Sequence, residues 1–339
     1  MNILVTGGCG FIGSNFIYFM LNESRQTLIN LDKLTYAGNP ENLRSVEERY
    51  SGSRYYFEHG DICDPELVPE LLKKYSIDAV VNFAAESHVD RSINEPGMFI
   101  HSNIQGTYNL LECSRQAGIK KFIQVSTDEV YGSLGPQGSF REDSPLAPNS
   151  PYAASKASAD LLCRAFFKTY DLPVTITRCS NNYGPFQFPE KLIPLTFLRA
   201  RDNKSIPVYG QGENIRDWIY VSDHCRGINL CIEKARPGSI YNFGGNAEYK
   251  NLDVIKKILD IMGKSHKLIR FVQDRPGHDL RYAMDFTLGK KELGFEPSVK
   301  FTEGLELTIK WYLNNNKWVD SIKSGDYIRF MDRWYKERE

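Results

Sequence analysis

Tyr152 and Lys156 stand four residues apart in Pro151-Tyr-Ala-Ala-Ser-Lys, a spacing that puts both on one face of a helix. A free tyrosine titrates near ~10, too high for an efficient base at neutral pH. A neighbouring ammonium favours the phenolate and brings it into range for proton abstraction. Upstream, Ser126-Thr127-Asp128-Glu129-Val130-Tyr131-Gly132 offers a hydroxyl and two adjacent carboxylates. Side by side, two carboxylates are costly unless solvated or used. A solvated loop with an N-cap aspartate is the plain alternative. If the pair is used, one group can take a proton next to a carbonyl while the other protonates a departing hydroxyl, an elimination of water.

Such groups need a platform, and the chain supplies one. Thr6-Gly7-Gly8-Cys9-Gly10-Phe11-Ile12-Gly13 follows a short apolar run and opens a helical stretch. Glycines at 7, 10 and 13 permit a tight turn, close backbone approach to a pyrophosphate, and close packing of helix on strand. The helix N-terminus then presents free N–H groups to the phosphates. Asp32, nineteen residues after Gly13, can accept from both adenosine ribose hydroxyls and would repel a 2′-phosphate. Lys33 partly offsets that repulsion, and the balance favours NAD over NADP. Asp61, beside Ile62, is placed to meet adenine, but on spacing alone it reads equally well as a loop or N-cap aspartate.

The elements around these motifs alternate. Apolar runs at Ile3–Val5, Leu28–Leu31, Tyr55–Phe57, Ala79–Phe83, Phe122–Val125 and Val174–Ile176 are separated by candidate helices at Phe11–Asn22, Pro65–Tyr75, Asn103–Ala117 and Tyr152–Tyr170. That is the pattern of an α/β fold, a Rossmann-type doubly wound parallel sheet covered on both faces. After about Asn181 the pattern turns irregular, with Pro185, Pro189 and Pro194 breaking the chain. Val208–Gly212 reads as a strand entering a turn, Ile219–Val221 as a strand, Ser222–Ala235 as a helix. Ile240–Phe243 reads as one more strand of the main sheet, and Leu305–Leu313 as a helix. The expected organisation is an NAD-binding domain over 1–180, with segments around 206–245 returning to it. A smaller C-terminal α/β domain, mainly 181–339, would bind the substrate.

Together the glycine loop, Ala84-Ala85-Glu86-Ser87-His88-Val89-Asp90, Ser126 to Gly132 and Tyr152-x-x-x-Lys156 resemble the extended short-chain dehydrogenases that act on nucleotide sugars. More narrowly, Arg178-Cys-Ser-Asn-Asn-Tyr-Gly-Pro185, Pro189-Glu-Lys-Leu-Ile-Pro194, Ile215-Arg-Asp-Trp218 and Asp274-Arg-Pro-Gly-His-Asp279 resemble the thymidine-diphosphate-glucose (dTDP-glucose) 4,6-dehydratases. The resemblance runs from Met1 to about Tyr327. It implies a redox-neutral reaction. Tyr152 takes the 4-hydroxyl proton as hydride leaves C4 for NAD, and Thr127 hydrogen-bonds that hydroxyl. Glu129 removes the C5 proton, Asp128 protonates the departing C6 hydroxyl, the hydride returns to C6, and Glu129 gives its proton back to C5. Asp128 separates this group from epimerases, which generally lack the acid pair. The stretch between Glu129 and Tyr152 is shorter than in some members.

For the cofactor, the resemblance implies Gly7, Gly10, Phe11, Ile12, Gly13, Asp32, Lys33, Thr35, Asp61 and Ile62. It adds Ala84, Ala85, Ser87, Asn103, Tyr152, Lys156 and Asn182. For a nucleotide sugar such as dTDP-glucose it implies His88, Thr127, Asn181, Lys191, Leu192, Pro207, Tyr209, Arg216, Asn251, Arg275, His278 and Tyr327. Arg216 and Arg275 suit the diphosphate because a guanidinium binds phosphate oxygens bidentately. Taken without the resemblance, both read as surface or salt-bridged arginines, and His88 as a loop histidine. The resemblance also implies a homodimer through a bundle that includes Asn103–Ala117 and Tyr152–Tyr170.

The bulk properties narrow the alternatives. Lys+Arg and Asp+Glu both number 42, so no global field favours nucleic acid or an anionic membrane. With 41% hydrophobic and 25% charged residues the chain reads as an ordinary globular enzyme. Its seven cysteines are odd in number and show no C-x-x-C spacing, which points to thiols in a reducing compartment. With Met1 to Thr6 reading as a core strand and no apolar stretch of spanning length, a cytoplasmic protein is expected. No histidine has metal-like spacing with acids or cysteines, so no metal is expected. The rival readings are a nucleotide-sugar 4-epimerase and a non-catalytic NAD-binding regulator.

Overall fold

Twelve strands and their connecting helices account for most of residues 1–322, the part of the chain that the computed structural model describes. In chain order the strands are β1 (Asn2–Thr6), β2 (Thr27–Asp32), β3 (Tyr55–His59), β4 (Ala79–Asn82), β5 (Lys121–Thr127) and β6 (Val174–Cys179). They continue as β7 (Asn181–Tyr183), β8 (Ile206–Tyr209), β9 (Ile215–Tyr220), β10 (Ile240–Phe243), β11 (Glu248–Lys250) and β12 (Ile269–Val272). The first six and β10 form one seven-stranded parallel sheet in the order β10-β6-β5-β4-β1-β2-β3. Strand order reverses at β1, so the crevice beyond the carboxyl ends of β1 and β4 is where a doubly wound sheet takes its ligand.

Side chains of β1 alternate between two apolar layers. Ile3 and Val5 pack with Phe16, Ile17, Ile123 and Ile228. Leu4 packs on the other face with Leu110, Phe122 and Phe166. Burying each such side chain fully is worth roughly 1.5–3 kcal/mol. Both faces are therefore covered, which is why these strands read as continuous apolar runs. A third cluster, with Tyr183, Phe197, Trp218, Ile258, Phe301 and Tyr312, holds the C-terminal half together. There β7, β9 and β11 make a small sheet, and β8 pairs in parallel with β12.

The helix Pro151–Tyr170, which carries Tyr152 and Lys156, has clear local causes. Ser150 caps it by accepting from the Ala153 amide at 3.1 Å, and Pro151 holds its first position. Asp171, left-handed at φ 55°, ends it.

Several boundaries differ from the sequence reading. The helix read from Asn103 begins earlier, as a π-helical segment over Ile100–Gly106 that runs into Thr107–Ala117. Val221 opens the helix Val221–Lys234 rather than ending a strand. Pro194 breaks nothing; it sits in the first turn of the helix Leu192–Arg201, where no intrahelical N–H bond is lost. Of the 206–245 stretch, the Val221–Lys234 helix packs on the main sheet and β10 joins it, whereas β8 and β9 belong to the smaller sheets. Among the described residues no helix is long and apolar enough to cross a membrane.

Candidate active site

One cavity of about 420 Å³ runs from the glycine loop, past the end of β5, to the C-terminal half. At its first end Gly7 adopts φ +70°, and a Cβ there would lie 2.7 Å from the Ala84 amide nitrogen. A Cβ at Gly13 would meet the Gly7 carbonyl at 2.3 Å, and one at Gly8 the Asn30 side chain at 2.2 Å. The loop backbone therefore closes tightly on β2 and β4. The helix Phe11–Glu23 starts from Gly10 with no side-chain cap, and Phe11, Ile12 and Gly13 line the cavity. Buried Asp32 accepts from the Cys9 amide and the Leu34 amide, both at 2.8 Å, one on each oxygen. These bonds fix the carboxylate and leave it lone pairs for a ribose diol. Burial raises its pKa, and the two amides oppose that rise. This cradle fits a dinucleotide.

Lys33 and Asp61 both line the cavity, and the Lys33 Nζ donates to Asp61 Oδ2 at 2.6 Å. The fold also brings together Asp61, Cys63 and His101, whose potential ligand atoms lie within 4.8 Å of one another. Linear spacing gave no hint of this group, because His101 arrives from the π-helical segment. Thr35, Ile62, Ala84, Ala85 and Ser87 line the cavity. Asn103 does not, contrary to the sequence reading. Its Oδ1 accepts from the Glu86 amide at 2.9 Å, and its Nδ2 donates to the Glu86 carbonyl at 3.0 Å and Ser155 Oγ at 2.8 Å. Both Nδ2 protons are engaged, and these bonds tie the 84–88 loop to the Tyr152 helix.

At the centre, Thr127 ends β5 and caps the short turn Asp128–Tyr131, accepting from the Glu129 amide at 3.3 Å. Asp128 is buried, and its Oδ2 has no hydrogen-bond partner among the described residues. Burial raises its pKa well above the carboxylate range, and the Glu129 charge adds to this. Burial also raises Glu129, against the pull of Arg275, Lys191 and Arg216. Tyr152 is pushed up by burial and by Glu129. Lys156 donates to the Val125 carbonyl at 2.7 Å; burial lowers its pKa while Asp160 holds it up.

Toward the far end, Lys191 donates to the Ser87 carbonyl at 2.7 Å. Asn182 donates to the Ser180 carbonyl at 3.0 Å and meets His224 Nδ1 at 3.0 Å. The buried Oδ1 of Asn181 has no partner among the described residues. Arg216 stacks over Tyr282 at 4.4 Å and donates to the carbonyls of Ile215 at 2.8 Å and Asp279 at 2.9 Å. Arg275 reaches Asp90 at 3.1 Å. His278 meets Asp274 at 2.6 Å, with burial pushing its pKa down to about 4. His88, Leu192, Pro207, Tyr209 and Asn251 complete this wall. Tyr327 lies outside the described residues.

Some residues of the site went unassigned in the sequence. Asp90 and Glu86 stood within a quoted motif but carried no role, although both line the cavity. Asp160 sits one turn beyond Lys156 and pairs in the interior with Arg178 Nε at 2.8 Å. Helical spacing was a usable signal for Asp160, since 152, 156 and 160 share one face. For Asp90 the partners come from distant segments, and no local signal existed.

The family model described as GDP-mannose 4,6 dehydratase matches residues 4–308. A dTDP-glucose 4,6-dehydratase of Salmonella typhimurium is 46% identical, with 100% of each chain covered. One from Xanthomonas campestris pv. campestris is 49% identical, with 96% of each covered. Among solved structures, DesIV, a dTDP-glucose 4,6-dehydratase from Streptomyces venezuelae with NAD and TYD bound, superposes with a TM-score of 0.91 at 49% identity. That match covers 94% of this chain and 98% of the other. A UDP-glucuronic acid 4-epimerase from Bacillus cereus, with UDP-glucuronic acid and NAD, gives a TM-score of 0.86 at 30% identity, covering 93% and 99%.

Proposed function

The chain belongs to the dTDP-glucose 4,6-dehydratase family of NAD-dependent extended short-chain dehydrogenases, and we propose that its cavity converts dTDP-glucose to dTDP-4-keto-6-deoxyglucose and water through the residues at the end of β5 and on the Tyr152 helix. Bound NAD supplies a two-electron acceptor and donor, so the overall reaction is redox-neutral. The glycine loop, Asp32 and the 84–88 loop hold it, with Asp32 accepting from the adenosine ribose. Lys156 and Asn182 hold the nicotinamide end.

Tyr152 accepts the proton of the sugar 4-hydroxyl as C4 is oxidised, and Thr127 Oγ1 orients that hydroxyl. The resulting 4-ketone acidifies C5–H. Glu129 removes this proton, and Asp128, whose surroundings favour its neutral form, delivers one to the departing C6 hydroxyl; as C6 then receives the hydride taken from C4, Glu129 returns its proton to C5. The observation that carries the assignment is the contrast between the two acids. Burial raises both, but Asp128 has an unpartnered oxygen and is pushed further by the Glu129 charge, whereas Arg275, Lys191 and Arg216 pull Glu129 back toward its charged form. Two titratable groups whose surroundings differ in this way suit one acid and one base. An epimerase has no use for the pair.

At the substrate end, Arg216, Arg275 and His278 take the diphosphate, and Lys191, Leu192, Pro207, Tyr209 and Asn251 surround the nucleoside. Residues 1–180 with the 221–243 return then form the NAD-binding domain, and the rest mainly the nucleotide-sugar domain. A homodimer is proposed from exposed Met98, Ile100, Tyr108 and Leu161, which lie on or beside the helices named for the bundle. The seven cysteines are all free thiols, which fits a cytoplasmic setting.

The test is mass spectrometry of the purified enzyme with dTDP-glucose and no added reductant, with the uridine analogue in parallel. Loss of one water without net reduced cofactor is the expected result. A product of unchanged mass would make it an epimerase.

A further inference from the structure

Asp90, in the helix Val89–Asn94, belongs to the N-terminal half of the chain, yet both its partners come from the other half. Its Oδ2 accepts from the Tyr209 hydroxyl at 2.7 Å, and its Oδ1 accepts from Arg275 Nη1 at 3.1 Å. Tyr209 ends β8, and Arg275 follows β12, the strand paired with β8; Tyr209 stands opposite Val272 in that ladder. One carboxylate thus grips the two-stranded sheet at two points. The grip is buried, with side-chain exposures of 6% for Asp90 and 16% for Arg275.

Burial works against the charge on Asp90, but Arg275, His88 and the Tyr209 hydroxyl together outweigh it and hold the carboxyl below its usual range. The Arg275 Nε has no hydrogen-bond partner among the described residues. Asp90 therefore fixes part of the guanidinium and leaves the rest of its donors to an anion. A flexible arginine incurs an ordering cost each time it binds; one already held in place does not.

We propose that Asp90 is a positioning residue for the nucleotide sugar: it fastens Arg275, which receives the diphosphate, and Tyr209, beside the nucleoside, and so joins the two halves of the cavity. This rests on the reading of the cavity as a dTDP-glucose site.

The experiment compares NAD-bound wild type, Asp90→Asn, Arg275→Gln and the double variant. Each is measured for KM and kcat with dTDP-glucose, for NAD content, and for the Kd of thymidine diphosphate by calorimetry. The asparagine side chain keeps the shape of the aspartate but can accept from only one of the two donors. Asp90→Asn is expected to raise both KM and Kd about 10-fold or more, with kcat within about threefold of wild type and NAD content unchanged. The double variant is expected to bind thymidine diphosphate no more weakly than Arg275→Gln, because both changes remove one interaction. Losses that multiply in the double variant, or wild-type affinity in Asp90→Asn, would overturn the proposal. Should Asp90→Asn not fold, Tyr209→Phe removes one anchor and is expected to raise KM several-fold; an unchanged KM would overturn it. If wild type did not dehydrate dTDP-glucose, the functional reading would fall, while the thymidine diphosphate affinities would still decide on Asp90.

Discussion

Lys156 is held by Val125: its Nζ donates to that strand's carbonyl at 2.7 Å, in a fully buried position one helical turn from Tyr152. The bond anchors the helix to β5 at the point where β5 delivers Thr127, Asp128 and Glu129. It also gives the Lys156 ammonium a fixed position beneath Tyr152.

Removing the phenol hydroxyl should therefore cost the first proton transfer without emptying the site. Tyr152→Phe is expected to lower kcat by roughly 10²–10⁴, with NAD content at the wild-type level. Steady-state kinetics together with the absorbance of extracted cofactor checks this.

The two acids should separate by isotope. In heavy water the wild-type product acquires deuterium at C5, because Glu129 exchanges its proton with solvent. Glu129→Gln is expected to abolish product formation and exchange together. Asp128→Asn, which keeps the base, is expected to lower kcat by roughly 10²–10⁴ with KM near the wild-type value. Nuclear magnetic resonance of product and recovered substrate reads both effects.

His224 is buried with one ring nitrogen on Asn182, and burial pushes its pKa from 6.5 down to about 3. A histidine depressed in the folded state contributes fully above the unfolded value and loses ground as pH falls. Between pH 6.5 and about 3 the unfolded chain takes up a proton that the folded one refuses. Stability should fall by about 1.4 kcal/mol per pH unit from this group. Urea midpoints at pH 7, 6 and 5 should drop less steeply for His224→Gln than for wild type.

Ser150→Ala removes the cap that starts the Tyr152 helix. The expected loss is about 1 kcal/mol, a fall of about 2 °C in Tm, measurable by calorimetry. Because Pro151 still sets the first turn, kcat should fall less than threefold.

Much of this molecule can be read along the chain. The six N-terminal apolar runs became six strands of one parallel sheet, and Ile240–Phe243 joined them as β10. The glycine loop, Asp32, the Thr127 to Glu129 triplet and the Tyr152 helix all meet at one cavity. These features are local, since a period, a glycine spacing or a cap is complete within a few residues. What escaped were pairings between distant segments. Lys33 read as a charge near a ribose, and the sequence did not show that it pairs with Asp61, on the next strand's exit. Asn103 read as a cofactor contact, and its amide is taken up by Glu86 and Ser155. Pro194 read as a break because the sequence does not show where a helix begins. The clasp at Asp90 draws on positions 209 and 275, which nothing local connects.

The late arrival of β10 has a consequence for biosynthesis. It covers β6, so a fragment stopped at residue 180 would display the whole edge of Val174–Cys179 to other chains. A ribosome needs ~3–12 s to make the roughly 60 residues between Cys179 and Ile240. During that interval the nascent sheet stands open on one side, so the exposure of this edge is a property of the topology rather than of any single residue.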